Sequence, residues 1–199
     1  MRARLILASR SEARRWLLRR LGIPFEAVDP GEVEEAVGEP REIALENARR
    51  KALKVAEILG EGLIIGADTL IVHDSRMIGK SRGRGEVVEA LRLLRGSSHR
   101  VLTGLAVVDA SSRRLEEGVE ETIVHMRRIS DDEISLYASI GESIGRAGGY
   151  AIQGLGALLV ERIEGCFYNV VGLPLRLLDE LLRRFDVSLL ELAAGYREL

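Results

Sequence analysis

Short apolar runs alternate with amphipathic stretches over the first hundred residues. Leu5, Ile6 and Leu7 lie in an expected strand over 4–8, which runs straight into Ser9-Arg10-Ser11-Glu12. Ser9 and Glu12 have the spacing of a capping box. The pattern then predicts a helix over 11–21 that buries Ala13, Trp16, Leu17 and Leu21 and stops at Gly22. Residues 25–28 read as a second strand, followed by the acidic loop Gly31-Glu32-Val33-Glu34-Glu35. Pro40 opens a helix to about Leu59, with Ala44, Ala48, Ala52, Val55, Ala56 and Leu59 as its buried stripe and Gly60 and Gly62 at its end.

The rest reads with the same two periods. A buried strand over 63–67 is followed by Asp68 and Thr69, then by a second short strand over 70–73. His73 to Arg76 supply a turn, and Met77-Ile78 lead back to Gly79-Lys80. A helix over 86–95 faces Val87, Ala90, Leu91 and Leu94 inward. Strands over 101–108 and 120–129 form a meander turning near Ser111-Ser112, and Ser130 and Glu133 make a second capping box for a helix to about Ile140. A glycine-rich stretch over 141–156, a strand over 157–163 and a helix over 174–185 follow. Strands that alternate with helices and then run as a meander predict an α/β fold with a mixed sheet.

Composition narrows the class. The 199 residues suit a single domain over 1–199, in one body or two lobes, with a real core. Basic and acidic residues nearly balance, 29 against 31, and no block of like charge stands out, which argues against nucleic acid and a membrane surface as partners. No apolar run reaches the length of a membrane span, and the one at the N-terminus is too short for the core of a signal peptide. The single cysteine, Cys166, excludes an internal disulfide and a cysteine zinc cage. A soluble, cytoplasmic protein is the expectation. Only three of the 29 basic residues are lysines (Lys51, Lys54 and Lys80), so each becomes a candidate for work that needs a compact ammonium.

Several segments carry candidate chemistry. Ser9, Arg10 and Ser11, with Arg14 and Arg15 beyond them, place hydroxyls and guanidinium groups where a strand feeds a helix N-terminus. That arrangement suits a phosphate, or is an ordinary capped helix with solvated arginines. Asp68, after an apolar strand, sits where open α/β sheets place ligands and could bind a cation or orient a water; the alternative is a turn aspartate bonding its own backbone. Glu34 and Glu35 could join it as metal ligands or form a solvated loop. Lys80 after Gly79 could hold a phosphate, and Lys51 could reach inward from its helix or snorkel at the surface. His73, His99 and His125 do not share metal-ligand spacing and read as structural.

In register, these segments resemble the Maf family of nucleoside triphosphate pyrophosphatases. Leu7 to Arg14 is similar to the family's L-A-S-x-S-P-R-R opening, and Gly66-Ala67-Asp68-Thr69 matches G-A-D-T outright. Val33-Glu34-Glu35, Lys51-Ala52 and Gly79-Lys80-Ser81 are similar to its acidic loop, helical K-A pair and G-K-P turn. GSSHRVLTG over 96–104, AGGYAIQG over 147–154 and NVVGLPL over 169–175 resemble its later signatures.

The resemblance implies hydrolysis between the α- and β-phosphates of a nucleotide, giving a monophosphate and pyrophosphate. It implies a curved mixed sheet flanked by helices, two lobes around a deep cleft, a fold like that of inosine triphosphate pyrophosphatases, and a homodimer. Asp68 would be the general base or the water-positioning group, and with Glu35 would hold Mg²⁺ or Mn²⁺. Ser9, Arg14, Lys51 and Lys80 would grip the phosphates, Thr69 would join the substrate-binding set, and Gln153 would read a base edge. Ala13 stands where the opening motif has its first arginine, and Arg10 could return a guanidinium there if residues 10–13 already turn helically. Thr69 and Gln153, with no aromatic in the arginine's place, point to dTTP or UTP. The resemblance also leaves a nucleotide-binding regulator of septum formation as an alternative.

Overall fold

The computed structural model describes residues 4–197. Its strands are β1 (Leu5–Ala8), β2 (Glu26–Val28), β3 (Leu63–His73), β4 (Arg76–Ile78), β5 (Ser98–Asp109), β6 (Leu115–Met126) and β7 (Val160–Glu164). Its helices are α1 (Glu12–Arg20), α2 (Pro40–Leu59), α3 (Arg84–Leu94), α4 (Asp131–Ile140), α5 (Phe167–Val171), α6 (Leu175–Arg183) and α7 (Leu189–Arg197). The strands form one sheet in the order β2-β1-β3-β5-β6-β7, with β4 also on β3. β1 pairs in parallel with β2 and β3, whereas β4 and β7 run antiparallel to β3 and β6. The fold is the mixed α/β class that the alternating pattern predicts.

The chain divides into two compact units. Of the described residues, the first holds 4–68, 103–120 and 172–197; the second holds 69–102 and 121–171. In the first, Ala48, Ala52, Val55 and Ala56 of α2 pack on Ile6, Ala8, Ile64, Ala106 and Val108. Small residues let this helix lie very close to the strands. A Cβ on Gly66 would stand 2.1 Å from the Ala48 carbonyl oxygen, and one on Gly104 would stand 2.2 Å from that of Ala44. This close seat brings the neighbouring face of α2, with Asn47 and Lys51 one turn apart, down to β3.

In the second unit, α3 buries Val87, Ala90, Leu91 and Leu94, the face its period predicts. The capping box at the start of α4 closes as expected: Ser130 Oγ accepts from Glu133 N–H, and the Glu133 carboxylate accepts from Ser130 N–H. His99 is buried against Tyr150, its Nε2 lying 2.7 Å from the phenol oxygen. Burial first, then the nearby His73 and His125, push its pKa down to about 4, so it stays neutral at ordinary pH.

Several expectations are corrected. The box between Ser9 and Glu12 does not form: Ser11 is the N-cap, and it makes no side-chain cap bond. The buried face of α1 is Ala13, Arg14, Leu17 and Leu18, and Trp16 is 46% exposed. Ala13–Leu17 and Arg14–Leu18 are adjacent four-residue ridges, and Trp16 falls off both. β3 is not broken at Asp68-Thr69. Pairing with β1 ends at Gly66 and pairing with β4 begins at Ile71, so the strand carries Asp68 through the interval between them. Asp68 thus stands inside a strand, just past the last β1-paired residue, and not at a strand terminus. A 3₁₀ turn over Leu155–Leu159 displaces the start of the last strand to Val160, because Ala157 N–H bonds back to the Gly154 carbonyl. β6 begins at Leu115, earlier than its apolar pattern suggests, since its first half is only half-buried. α5 and α7 were not anticipated.

Candidate functional site

Asp68 is held from α2. Lys51 Nζ stands 2.5 Å from Asp68 Oδ1, and Asn47 Nδ2 donates to Oδ2 at 3.1 Å. Lys51 and Asp68 are both mostly buried, with side chains 24% and 16% exposed. In that setting an ion pair orients a carboxylate far better than it would in open water. Of the two orientations open to Lys51, the structure therefore has the inward one, and the side chain does not snorkel. Asn47 also accepts from Ala36 N–H at 2.8 Å through Oδ1. One amide thus ties the acidic loop to Asp68 and fixes the backbone next to Glu35, whose own side chain is exposed. Asn47 is the residue that sequence reasoning missed. The available signal was its four-residue spacing from Lys51, on the flank of the alanine stripe.

The end of β1 forms a second cluster in the same unit. Ser9 is buried, and its Oγ accepts from Ser11 N–H and from Arg14 Nη1, both at 3.1 Å. Arg14 is buried too, with Nη1 also donating to the Ala67 carbonyl and Nε donating to that of Gly172. Its guanidinium is thus a clamp between β1, the segment before Asp68 and the start of the last segment, and not the solvated first-turn arginine that the pattern allowed. Burial lowers its pKa from the ordinary value, and the negative charge of Asp68 acts against that. Arg15 donates twice to the Ser9 carbonyl.

Arg10 does not take the expected place. The helix begins only at Glu12, so residues 10 and 13 share no helical face. The Arg10 side chain is 69% exposed and faces Asp29 at 3.6 Å, while Ala13 is buried.

Lys80, Thr69 and Gln153 belong to the second unit. Lys80 is exposed, and its segment is strapped to the glycine-rich stretch. Lys80 bridges Ala147, Ser81 N–H donates to the Arg146 carbonyl, and Gly145 N–H donates to that of Ser81. This ladder restrains the turn although Ser81 replaces proline. Thr69 follows Asp68 directly in β3 and is half-buried, and Gln153 is half-exposed in a turn. The three histidines each have a hydrogen-bond partner of their own: Ser97 for His73, Tyr150 for His99, and Ser98 with Glu164 for His125.

Among the described residues, no group of three His, Cys, Asp or Glu side chains is placed to hold a metal ion. None of the described helices is long and apolar enough to cross a membrane.

A family model of Maf-like proteins matches residues 4–185. The chain is 45% identical over 193 residues to a dTTP/UTP pyrophosphatase of Dictyoglomus turgidum, covering 96% of this chain and 100% of that protein. It is 42% identical over 188 residues to a dTTP/UTP pyrophosphatase of Pelotomaculum thermopropionicum, covering 94% and 98%. A dTTP/UTP pyrophosphatase of Acetivibrio thermocellus is 42% identical over 197 residues, with the same coverage of 94% and 98%.

Proposed function

The chain belongs to the family of Maf-like proteins, and from that premise we propose that it hydrolyses dTTP and UTP between the α- and β-phosphates. The products are the nucleoside monophosphate and pyrophosphate. The observation that carries this reading is Asp68, mostly buried, with Lys51 on one oxygen and Asn47 on the other. Each carboxylate oxygen keeps a further lone pair, so Asp68 can accept the proton of an attacking water without losing its orientation. Lys51 is then the ammonium nearest the reacting anhydride. Ser9, above the buried Arg14 charge, offers a hydroxyl and a positive surrounding to the phosphates. A triphosphate carries about four negative charges, and such transfer depends chiefly on positioning and charge neutralisation. Lys80, Thr69 and Gln153 enter on the family pattern, Lys80 as a phosphate contact, Thr69 as a substrate contact and Gln153 as a base reader.

The residues present fit a divalent cation of the magnesium type. Such an ion takes one or two protein carboxylates and completes its shell with water and substrate phosphates, so a closed protein cage is not required. Asp68 and Glu35 would hold Mg²⁺ or Mn²⁺, the loop of Glu35 being tied to Asp68 through Asn47. When bound, the ion polarises phosphoryl oxygens. A homodimer on the same family pattern, in the cytoplasm as the composition suggests, completes the reading, and sedimentation of the purified chain tests the dimer.

The decisive experiment is a digest of UTP and of dTTP with separation of products. Monophosphate and pyrophosphate in equal amounts are expected. Accumulation of UDP or dTDP with inorganic phosphate would overturn the reading.

A further inference from the structure

Gln153, the single glutamine of the chain, is a central residue of a tight turn. Gly154 N–H donates to the Ala151 carbonyl at 3.0 Å, closing a β-turn with Ile152 and Gln153 in the middle. Ile152 is buried, and Gln153 is half-exposed. A turn this small has no core of its own, and its restraint comes from the end of α4. Glu142, two residues beyond that helix, accepts from Gly156 N–H and from the Tyr137 hydroxyl through Oε1, both at 2.8 Å. Its Oε2 accepts from Leu155 N–H at 3.3 Å. The Tyr137 oxygen in turn accepts from Ala151 N–H at 3.0 Å. One carboxylate and one phenol therefore take up the N–H groups on both sides of Gln153.

The glycines make this grip possible. A Cβ on Gly154 would stand 2.6 Å from Glu142 Oε2, and one on Gly156 would stand 2.6 Å from the Ala151 carbonyl oxygen. Burial, and then the bond to Glu142, push the Tyr137 pKa up, so the phenol remains a neutral donor across the assay range.

We propose that Glu142, acting through Tyr137 and the 151–156 backbone, is a positioning residue for base selection. It holds the turn in the shape that presents the Gln153 amide to a pyrimidine edge. The proposal rests on the pyrophosphatase reading and on Gln153 as the base reader. An amide discriminates by donor and acceptor order, so its value depends on placement, and a shift of about 1 Å is enough to lose it. Loosening the turn thus lowers selectivity ahead of the chemical step, because Asp68 has restraints of its own in Lys51 and Asn47.

The test is kcat/KM for UTP and for GTP on the same preparation of each variant, since their ratio does not depend on the active fraction. Glu142→Ala should lower the UTP-to-GTP ratio by about tenfold, mostly through KM for UTP. Glu142→Gln keeps an acceptor for Tyr137 and Gly156 and should restore most of that loss. Tyr137→Phe removes one oxygen only, and should lower the ratio by about threefold; it carries the same test if the alanine variant does not fold. In a Gln153→Ala background, Glu142→Ala should move the ratio by less than about twofold, because the group it positions is gone. An unchanged ratio in Tyr137→Phe and Glu142→Ala would overturn the proposal, as would an undiminished effect without Gln153. A wild-type enzyme that releases no pyrophosphate from UTP would overturn the pyrophosphatase reading itself, and the proposal with it.

Discussion

Two helices of this protein begin with the same four-residue signature and use it differently. Ser130-Asp131-Asp132-Glu133 closes on itself, each end satisfying a backbone N–H of the other. Ser9-Arg10-Ser11-Glu12 does not. Its helix starts at Glu12, Glu12 pairs with Arg15, and Ser9 Oγ receives Arg14. The difference lies in what stands behind each start. α4 begins on an exposed surface, where Arg127 takes one Glu133 oxygen and leaves the other to cap Ser130 N–H. α1 begins beside the end of β1, where a buried guanidinium must find acceptors and takes the serine that the cap would have used. A local signature thus serves stability where no buried charge claims its groups, and serves the site where one does.

The strongest way to break this contrast is to remove the chemistry beside α1. Asp68→Asn should lower kcat by about 10²- to 10⁴-fold, the usual cost of a lost general base, while calorimetry still detects nucleotide binding. A variant keeping more than about a tenth of kcat would take Asp68 out of that role.

Next comes the serine diverted from capping. Ser9→Ala should lower kcat/KM for UTP by about tenfold, close to 1.4 kcal/mol. Full activity would reduce Ser9 to a structural acceptor for Arg14. The matching change at the other helix, Ser130→Ala, should leave kcat/KM within about twofold and cost about 1 kcal/mol in stability. For a chain of this size that is a fall in Tm of about 2–4 °C by thermal unfolding. If the two serines exchanged these phenotypes, the contrast would be wrong.

The smallest expected effect concerns acid. Glu133 is held below its ordinary pKa of 4.5, first by the Ser130 backbone N–H and then by Arg127. A carboxyl with a lowered folded pKa stabilises the fold above the unfolded value, and that contribution is lost as pH falls through the folded one. Wild type should therefore melt above Glu133→Gln at pH 7, and the two curves should converge as pH drops below about 4.5. A gap that persists in acid would assign the difference to packing instead of charge.

Much of this was legible beforehand. The alanine stripe of α2, the inward face of α3 and the second capping box follow from period and spacing, which need only the chain's immediate neighbours. Asp68 and Lys51 were marked by an apolar strand and by the rarity of lysine. Asn47 was not, because its four-residue spacing from Lys51 gains meaning only once the strand opposite that helix face is known. Trp16 was misplaced because its spacing fits a buried stripe equally well, and only the sheet decides which ridge turns inward.

The sequence by itself determined the element order, the α/β class and the small residues that let α2 lie against the strands, since these follow from periodicity and side-chain volume. Tertiary structure alone decided that β3 runs unbroken through Asp68, that Arg14 is buried, and that Arg10 faces Asp29. Those outcomes depend on which distant groups compete for the same hydrogen bonds and the same space, and no local pattern records that competition.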